Sequence, residues 1–321
     1  MNQAMKKKGK VVAVVGPTAV GKTALSLELA ARLNGEIING DAMQVYKGLD
    51  IGTAKIPIHE RRGIPHHLID FLPPDHSYTV ADFQAGARQW IHKLNEQNKL
   101  PVLVGGTGLY IKAALYDYQF SDIDSQPELR QELEYTARIE GAESLYHKLQ
   151  DVDPVSAEKI HPNNVKRVIR ALEVFYTTGV PFSRHQQNEK PKPLYNMVLV
   201  GLTMDRDMLY ERINQRVDEM IEAGLIEEAR HLYDLGIKNT QSVQAIGYKE
   251  LYLYFDGKCS LDEAVRLLKR NSRRFAKRQF TWFKRQMDIT WFDMTDYQSN
   301  FSQKAQEILA FVAGKFAKES K

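Results

Sequence analysis

The sequence predicts an α/β fold built on a parallel sheet with helices on both faces, and three observations carry that prediction. Short strand-like runs, Val11–Val15, Glu36–Asp41 and Pro101–Val104, alternate with longer segments whose apolar residues recur at helical spacing. Val11–Val15 and Pro101–Val104 are apolar throughout, as strands covered on both faces are. Each run ends at glycine or an acid (Gly16, Asp41, and the turn Gly105-Gly106-Thr107-Gly108), and ligands of such sheets sit at the carboxyl ends of the strands.

Taken in order, residues 1–10 read as a loose basic tail containing Lys6-Lys7-Lys8. The apolar run after it is too short for a secretory leader. Val11–Val15 is the first strand. Gly16-Pro17-Thr18-Ala19-Val20-Gly21-Lys22-Thr23 follows and matches G-x-x-x-x-G-K-[ST] in full, and Ala24–Leu33 continues as a helix. In that context backbone N–H groups and a helix N-terminus converge on an anion. Lys22 adds a charge for the outer phosphates, and the Thr23 hydroxyl is placed to ligate Mg²⁺. The fold class is thus a P-loop nucleoside-triphosphate-hydrolase-like parallel sheet. The loop predicts a phosphorylated ligand and leaves open which one, and what is done to it.

Glu36–Asp41 is the second strand and His67–Asp70 a short third. Thr79–Gln97 forms a helix with Phe83, Ala87, Trp90, Ile91 and Leu94 on one face. Pro101–Val104 is the next strand. From about Phe120 to Pro193 the character changes: Pro127–Gln150 and Ser156–Thr178 read as two helical stretches with no strand between them. Asn196–Leu202 returns to strand composition, residues 205–286 are mostly helical, and Ile289–Phe292 adds a last strand. The expected organisation is a core in two parts, residues 1–119 and 195–321, interrupted by a helical insertion domain at 120–194.

Composition narrows the function classes. At 321 residues, about two domains are expected. A hydrophobic content of 43% and a charged content of 26% are those of an ordinary globular protein. Net charge +4 permits a nucleic-acid partner without requiring one. The single cysteine, Cys259, excludes an intrachain disulfide and suits a reducing, cytoplasmic compartment. No segment approaches the apolar length of a membrane span.

Several residues carry candidate chemistry. Asp41, at a strand end beside the phosphate loop, can hold Mg²⁺, act as a base, or cap the following turn. Thr107 has a similar choice between a site role and an N-cap. Arg212 and Arg216 share one helix face, where exposed ion pairs are the default. Gln244-Ala245-Ile246-Gly247-Tyr248-Lys249 is a polar and aromatic turn with no evident structural need. The helix from Leu261 to Arg285 carries nine basic residues against the two acids Asp262 and Glu263, with Leu261, Ala264, Leu268, Phe275 and Trp282 as its apolar stripe. That imbalance favours a phosphate backbone as partner. Lys166, Arg167 and Arg170 make a smaller basic cluster.

The motifs GPTAVGKT, GDAMQVYKGLDIGTAK, HHLID, LVGGTGLY, KRVIRALEV, QAIGYKE and KRQFTWFKRQ stand in this order between about residues 11 and 293. In this the chain resembles the tRNA dimethylallyltransferase (tRNA isopentenyltransferase) family. Lys166 departs from a glutamine that bacterial members often carry. The resemblance implies transfer of a dimethylallyl group from dimethylallyl diphosphate to N6 of the adenosine beside the anticodon; a monomer is expected, and the sequence leaves the oligomeric state open. It implies that Arg216 joins the diphosphate clamp and that Thr107 positions Asp41 or the adenine. It implies tRNA contacts at Asp41, Ala42, Met43, Gln44, Thr107, Arg130, Lys166, Arg167, Val168, Ile169, Arg170 and Gln244–Lys249, around a base flipped from its stack. The chemistry suits the residues: N6 has a proton to lose to Asp41, and the leaving diphosphate needs the loop, Lys22 and Mg²⁺. A nucleotide or nucleoside kinase and a non-catalytic RNA-binding ATPase are the alternatives. The first needs an arginine-rich lid, of which the chain has no obvious segment, and the second leaves Asp41 and Thr107 without a task.

Overall fold

The structure is a computed structural model and describes residues 8–118, 126–185 and 191–318. Most of the basic tail, including Lys6-Lys7, and Phe120 at the start of the insertion lie outside those residues. By contact the chain divides into two compact units, Met1–Tyr118 with Lys192–Lys321, and Gln119–Pro191.

In the first unit, β1 (Lys10–Val15) leads through the phosphate loop into α1 (Lys22–Arg32), then β2 (Gly35–Asn39) and β3 (His66–His67). α2 (Val80–Glu96), β4 (Leu100–Gly105) and α3 (Gly108–Leu115) follow. The third strand is shorter than expected because Leu68 and Asp70 adopt left-handed φ of 57°, which ends the extended run. α2 starts where its sequence says: Thr79 accepts from the Asp82 N–H and Asp82 answers the Thr79 N–H, a complete capping box.

The second unit holds α4 (Pro127–Ile139), α5 (Ala142–Val152), α6 (Pro154–Lys159), α7 (Val165–Thr178) and α8 (Phe182–His185). Both expected helical stretches are therefore broken. Gly141, at φ 93°, separates α4 from α5, and α6 ends at the extended Ile160 before α7 begins. Leu145, Leu149, Val168, Ile169 and Leu172 fill this unit's own core.

The first unit resumes with β5 (Asn196–Thr203), α9 (Arg206–Glu222), α10 (Leu225–Asp234), α11 (Tyr248–Phe255), α12 (Leu261–Gln286), β6 (Thr290–Asp293) and α13 (Tyr297–Lys318). Among the described residues the strands form one six-stranded sheet of order β3-β2-β4-β1-β5-β6, and every neighbouring pair is parallel. β1 shows why its residues are apolar throughout. Val11, Ala13 and Val15 point into the layer containing α2, α3 and α12, while Val12 and Val14 point into the layer with α1 and α13. After β4 the chain crosses β1 to continue with β5, so the strand order reverses at β1, and the phosphate loop lies at that switch point. Among the described residues no helix is long and apolar enough to cross a membrane.

Candidate active site

The loop after β1 is shaped for an anion. Gly21 takes φ 101°, accessible to glycine, and Ala19 is held in the left-handed region at φ 64°. A side chain at Gly16 would place its Cβ 2.6 Å from the Leu202 carbonyl of β5, so that position must also be glycine. No side chain caps the N-terminus of α1, which leaves its first N–H groups for a ligand. Lys22 folds over the loop, its Nζ 2.6 Å from the Pro17 carbonyl. Burial, with the Arg216 charge adding to it and Asp41 opposing, pulls the Lys22 amine down to about 7. That amine is poised to regain its proton beside an anion.

Arg216 is not a solvated surface arginine. Burial pushes its guanidinium below the usual range; Arg212 adds to this, and Glu219 and Asp41 oppose it. Among the described residues it makes no hydrogen bond or ion pair. Arg212 bonds the Ala19 carbonyl at 3.1 Å, tying α9 to the loop. Together with Lys22 and Thr23, both arginines line a cavity of about 660 Å³.

Asp41 follows β2. Its Oδ1 accepts from the Met43 N–H at 2.8 Å and the Gln44 N–H at 3.3 Å, which is the cap role. Its Oδ2 makes no hydrogen bond among the described residues, so the capping role occupies one oxygen and leaves the other open. Thr107 occupies the N-cap position of α3 but gives no side-chain cap there. Its Oγ1 instead accepts from the Ala42 N–H at 3.3 Å, joining the turn after β4 to the Asp41 turn.

Asp41 also lines a second cavity, of about 360 Å³, whose wall is largely apolar and includes Met43, Ile213, Val217, Met220, Leu268 and Phe275. Both cavities share Thr18, Asp41, Thr53, Ala54, Arg216 and Phe275. A phosphate cradle thus opens at Asp41 onto an apolar chamber.

The remaining expected residues divide. Ala42, Met43, Gln244, Ala245, Ile246, Gly247 and Lys249 line the apolar chamber, and Gln44 lines the polar one. Tyr248 does not belong with them: it is fully buried, and its hydroxyl donates to Glu228 Oε1 at 2.5 Å; burial first, and the Glu228 charge after it, push its pKa far up. The turn it sits in has a structural task after all, because the Gly247 N–H, at φ 111°, is capped by buried Glu250 at 2.8 Å. In the helical unit Val168 and Ile169 are core, on the inward face of α7, and cannot offer side chains to RNA. Arg130 and Arg170 both reach the buried Glu173, at 2.7 and 2.9 Å, while Lys166 and Arg167 face outward.

Some residues that build the site were missed from sequence. Glu228 accepts from the N–H groups of Asp50, Ile51 and Gly52 at 2.8–3.0 Å. Lys55, with a side chain 4% exposed, joins Asp50, Asp70 and the Tyr46 carbonyl. These two fix the segment from Asp41 to Lys55. Gln279 bonds the phosphate loop and the turn after β4 at once. Phe275 and Trp282 are only partly buried, contrary to a plain core stripe: Phe275 walls both cavities and Trp282 packs under Gly108. A lone polar Gln279 at helical spacing from Phe275 and Trp282 was the available signal.

A parallel sheet reversing at a phosphate loop, with a carboxylate between a cationic cavity and an apolar one, defines a P-loop α/β enzyme. A family model described as IPP transferase matches residues 44–286. A tRNA dimethylallyltransferase of Anoxybacillus flavithermus is 57% identical over 96% of this chain and 97% of that one, and one of Geobacillus kaustophilus is 57% identical over 97% and 98%. Among solved structures, the full-length tRNA isopentenylpyrophosphate transferase of Bacillus halodurans is 54% identical, covers 98% of both chains and superposes with a TM-score of 0.75. A eukaryotic dimethylallyltransferase acting on tRNA is 31% identical, with a TM-score of 0.83 over 97% of this chain and 80% of that one. The chain belongs to the IPP transferase family, that of the tRNA dimethylallyltransferases.

Proposed function

We propose that this enzyme transfers the dimethylallyl group of dimethylallyl diphosphate to N6 of the adenosine beside the anticodon of tRNA, releasing diphosphate. The observation that carries the proposal is the placement of Asp41 on the boundary between the cationic cavity and the apolar one. The diphosphate lies in the loop against the α1 N-terminus, Lys22 and Arg216. The C–O bond to the leaving oxygen breaks as N6 attacks the allylic carbon in the apolar chamber, and Asp41 Oδ2 takes the N6 proton. Positive charge at Lys22 and Arg216 meets the charge that grows on the leaving diphosphate. The apolar wall keeps water from the carbon as it acquires cationic character.

Thr23 lines the polar cavity, and its hydroxyl has no hydrogen-bond partner among the described residues, a hard oxygen suited to Mg²⁺ together with phosphate oxygens and water. When bound there, Mg²⁺ supplies further neutralisation of the diphosphate. Lys166, Arg167 and the exposed cations of α12 are proposed to hold the tRNA backbone. Action as a monomer in the cytoplasm is part of the same proposal; a tRNA substrate and a chain with the single cysteine Cys259 suit that compartment.

The test is incubation of the protein with dimethylallyl diphosphate, Mg²⁺ and unmodified tRNA, followed by mass analysis of the nucleosides. A prenylated adenosine with release of diphosphate is expected. No prenylated product, or labelled phosphate passing from γ-labelled ATP to a nucleoside or RNA, would overturn the proposal.

A further inference from the structure

Gln279 lies in the middle of α12 and is 6% exposed. A buried amide is costly unless its hydrogen bonds are made, and a leucine or methionine would fill the same space at less cost. Its Oε1 accepts from the Thr18 N–H of the phosphate loop at 2.9 Å, and its Nε2 donates to the Gly106 carbonyl at 3.0 Å. Both groups belong to turns outside the strand and helix ladders, so neither has a neighbour in regular structure to pair with. One side chain therefore bonds two loops that are far apart in sequence.

The two loops have distinct parts in the transfer. The first holds the leaving diphosphate. The second continues into Thr107, whose Oγ1 accepts from the Ala42 N–H and so sets the turn whose other anchor is Asp41. The glycines of the second loop are shaped to α12 and not only to a ligand. A Cβ at Gly106 would overlap Gln279 Nε2, and a Cβ at Gly108 would overlap the Trp282 ring three residues further along the same helix face. α12 docks on this turn through Gln279 and Trp282, and glycine at both positions permits the approach.

We infer that Gln279 is a positioning residue which sets the distance between the diphosphate cradle and the Asp41–Thr107 pair. This rests on the transfer proposed above. The donor's leaving oxygen is held on one side of the bridge and the proton acceptor on the other, so loosening the bridge misplaces the reacting atoms while Lys22, Arg216 and Asp41 are all retained. A further consequence follows for the loop: the Thr18 N–H is committed to Gln279, and the diphosphate is held by the other N–H groups of the cradle.

Gln279→Met retains length and volume and removes both hydrogen bonds, and it is tested well below its melting transition. The expected result is a loss of about 10²-fold in kcat, with the Kd for unmodified tRNA and the Kd for inorganic diphosphate with Mg²⁺ both within about threefold of the unsubstituted enzyme, a small change in free energy. A role limited to stability lowers the melting temperature and leaves kcat unchanged, and that outcome overturns the inference. Gln279→Glu keeps the acceptor for Thr18 and loses the donor to Gly106; it is expected to lose kcat as well, and full activity in it also overturns the inference. Hydrogen exchange in the unsubstituted protein decides the matter without a variant. The Thr18 amide is expected to be protected in the absence of ligand and no further protected by saturating diphosphate, whereas rapid exchange without ligand overturns the bridge. Failure of the unsubstituted enzyme to bind diphosphate or to prenylate tRNA counts against the proposed transfer and leaves the bridge standing as geometry.

Discussion

At the scale of single residues, the proposed base and the observed cap of Asp41 fall on different oxygens, and a substitution can separate them. Asp41→Asn keeps an oxygen for the Met43 and Gln44 N–H groups but cannot take a proton, so the turn survives and the base is lost. Turnover is expected to fall by about two to four orders of magnitude with tRNA affinity retained, as measured by single-turnover prenylation and filter binding. Near-normal turnover would return Asp41 to capping alone. Lys22 offers a pH test. Burial, with the Arg216 charge adding to it, brings its amine to about 7, far below its usual 10.5. An anion beside it favours the charged form, so diphosphate binding at pH 8 draws in a proton, whereas near pH 6 the amine is already charged and no uptake occurs. Affinity therefore declines as pH rises above 7, and calorimetry in buffers of different ionisation enthalpy measures the proton directly. Arg216→Ala is expected to raise KM for the prenyl donor well beyond any change in tRNA Kd, because its unpaired guanidinium faces the cradle.

At the scale of elements, α12 is the helix whose two faces do different work. The sequence count of nine cations overstated what is available to RNA. Arg266 pairs with Glu263, Lys269 with Asp218, and Arg273 bonds Asn214. Arg274, Lys277, Arg278, Lys284 and Arg285 remain exposed without an acidic partner among the described residues. Replacing Arg274 and Lys277 with alanine is expected to weaken tRNA binding for all sequences alike and to lower the slope of log K against log salt by about one to two, read from titrations at several salt concentrations. An unchanged slope would remove this face from the RNA interface. The inward face resisted prediction for a physical reason. Helical periodicity marks which residues turn inward, but not whether they meet core, cavity or another loop. Phe275 and Trp282 met a cavity wall and a glycine turn, and Gln279 met two backbone groups. α7 shows the reverse: its basic residues drew attention to the whole run, while Val168 and Ile169 within it are core.

At the scale of the whole molecule, the two compact units each have a core of their own, and the phosphate cradle, Asp41 and the apolar chamber are lined from the sheet unit alone. Leu172→Ala opens a cavity in the helical unit and is expected to cost that unit about 2–5 kcal/mol, seen as a lowered calorimetric transition. Diphosphate affinity should be preserved. A parallel loss of diphosphate binding would show that the cradle depends on the helical unit's stability.

The sequence by itself determined the class of fold, because apolar strands alternating with amphipathic helices can bury their faces in few ways. It also determined the phosphate loop, whose glycines, Lys22 and Thr23 are adjacent in the chain and act through local backbone geometry, and the order of motifs that marks the family. Only the tertiary structure decided how those parts meet. Arg216 became a partly buried cation beside Lys22, Glu228 gathered three N–H groups from a loop that it follows by more than 170 residues, and Gln279 closed onto Thr18 and Gly106. These contacts join residues distant in the chain, and the free energy that selects them comes from packing and from satisfying buried polar groups, neither of which leaves a local pattern to read.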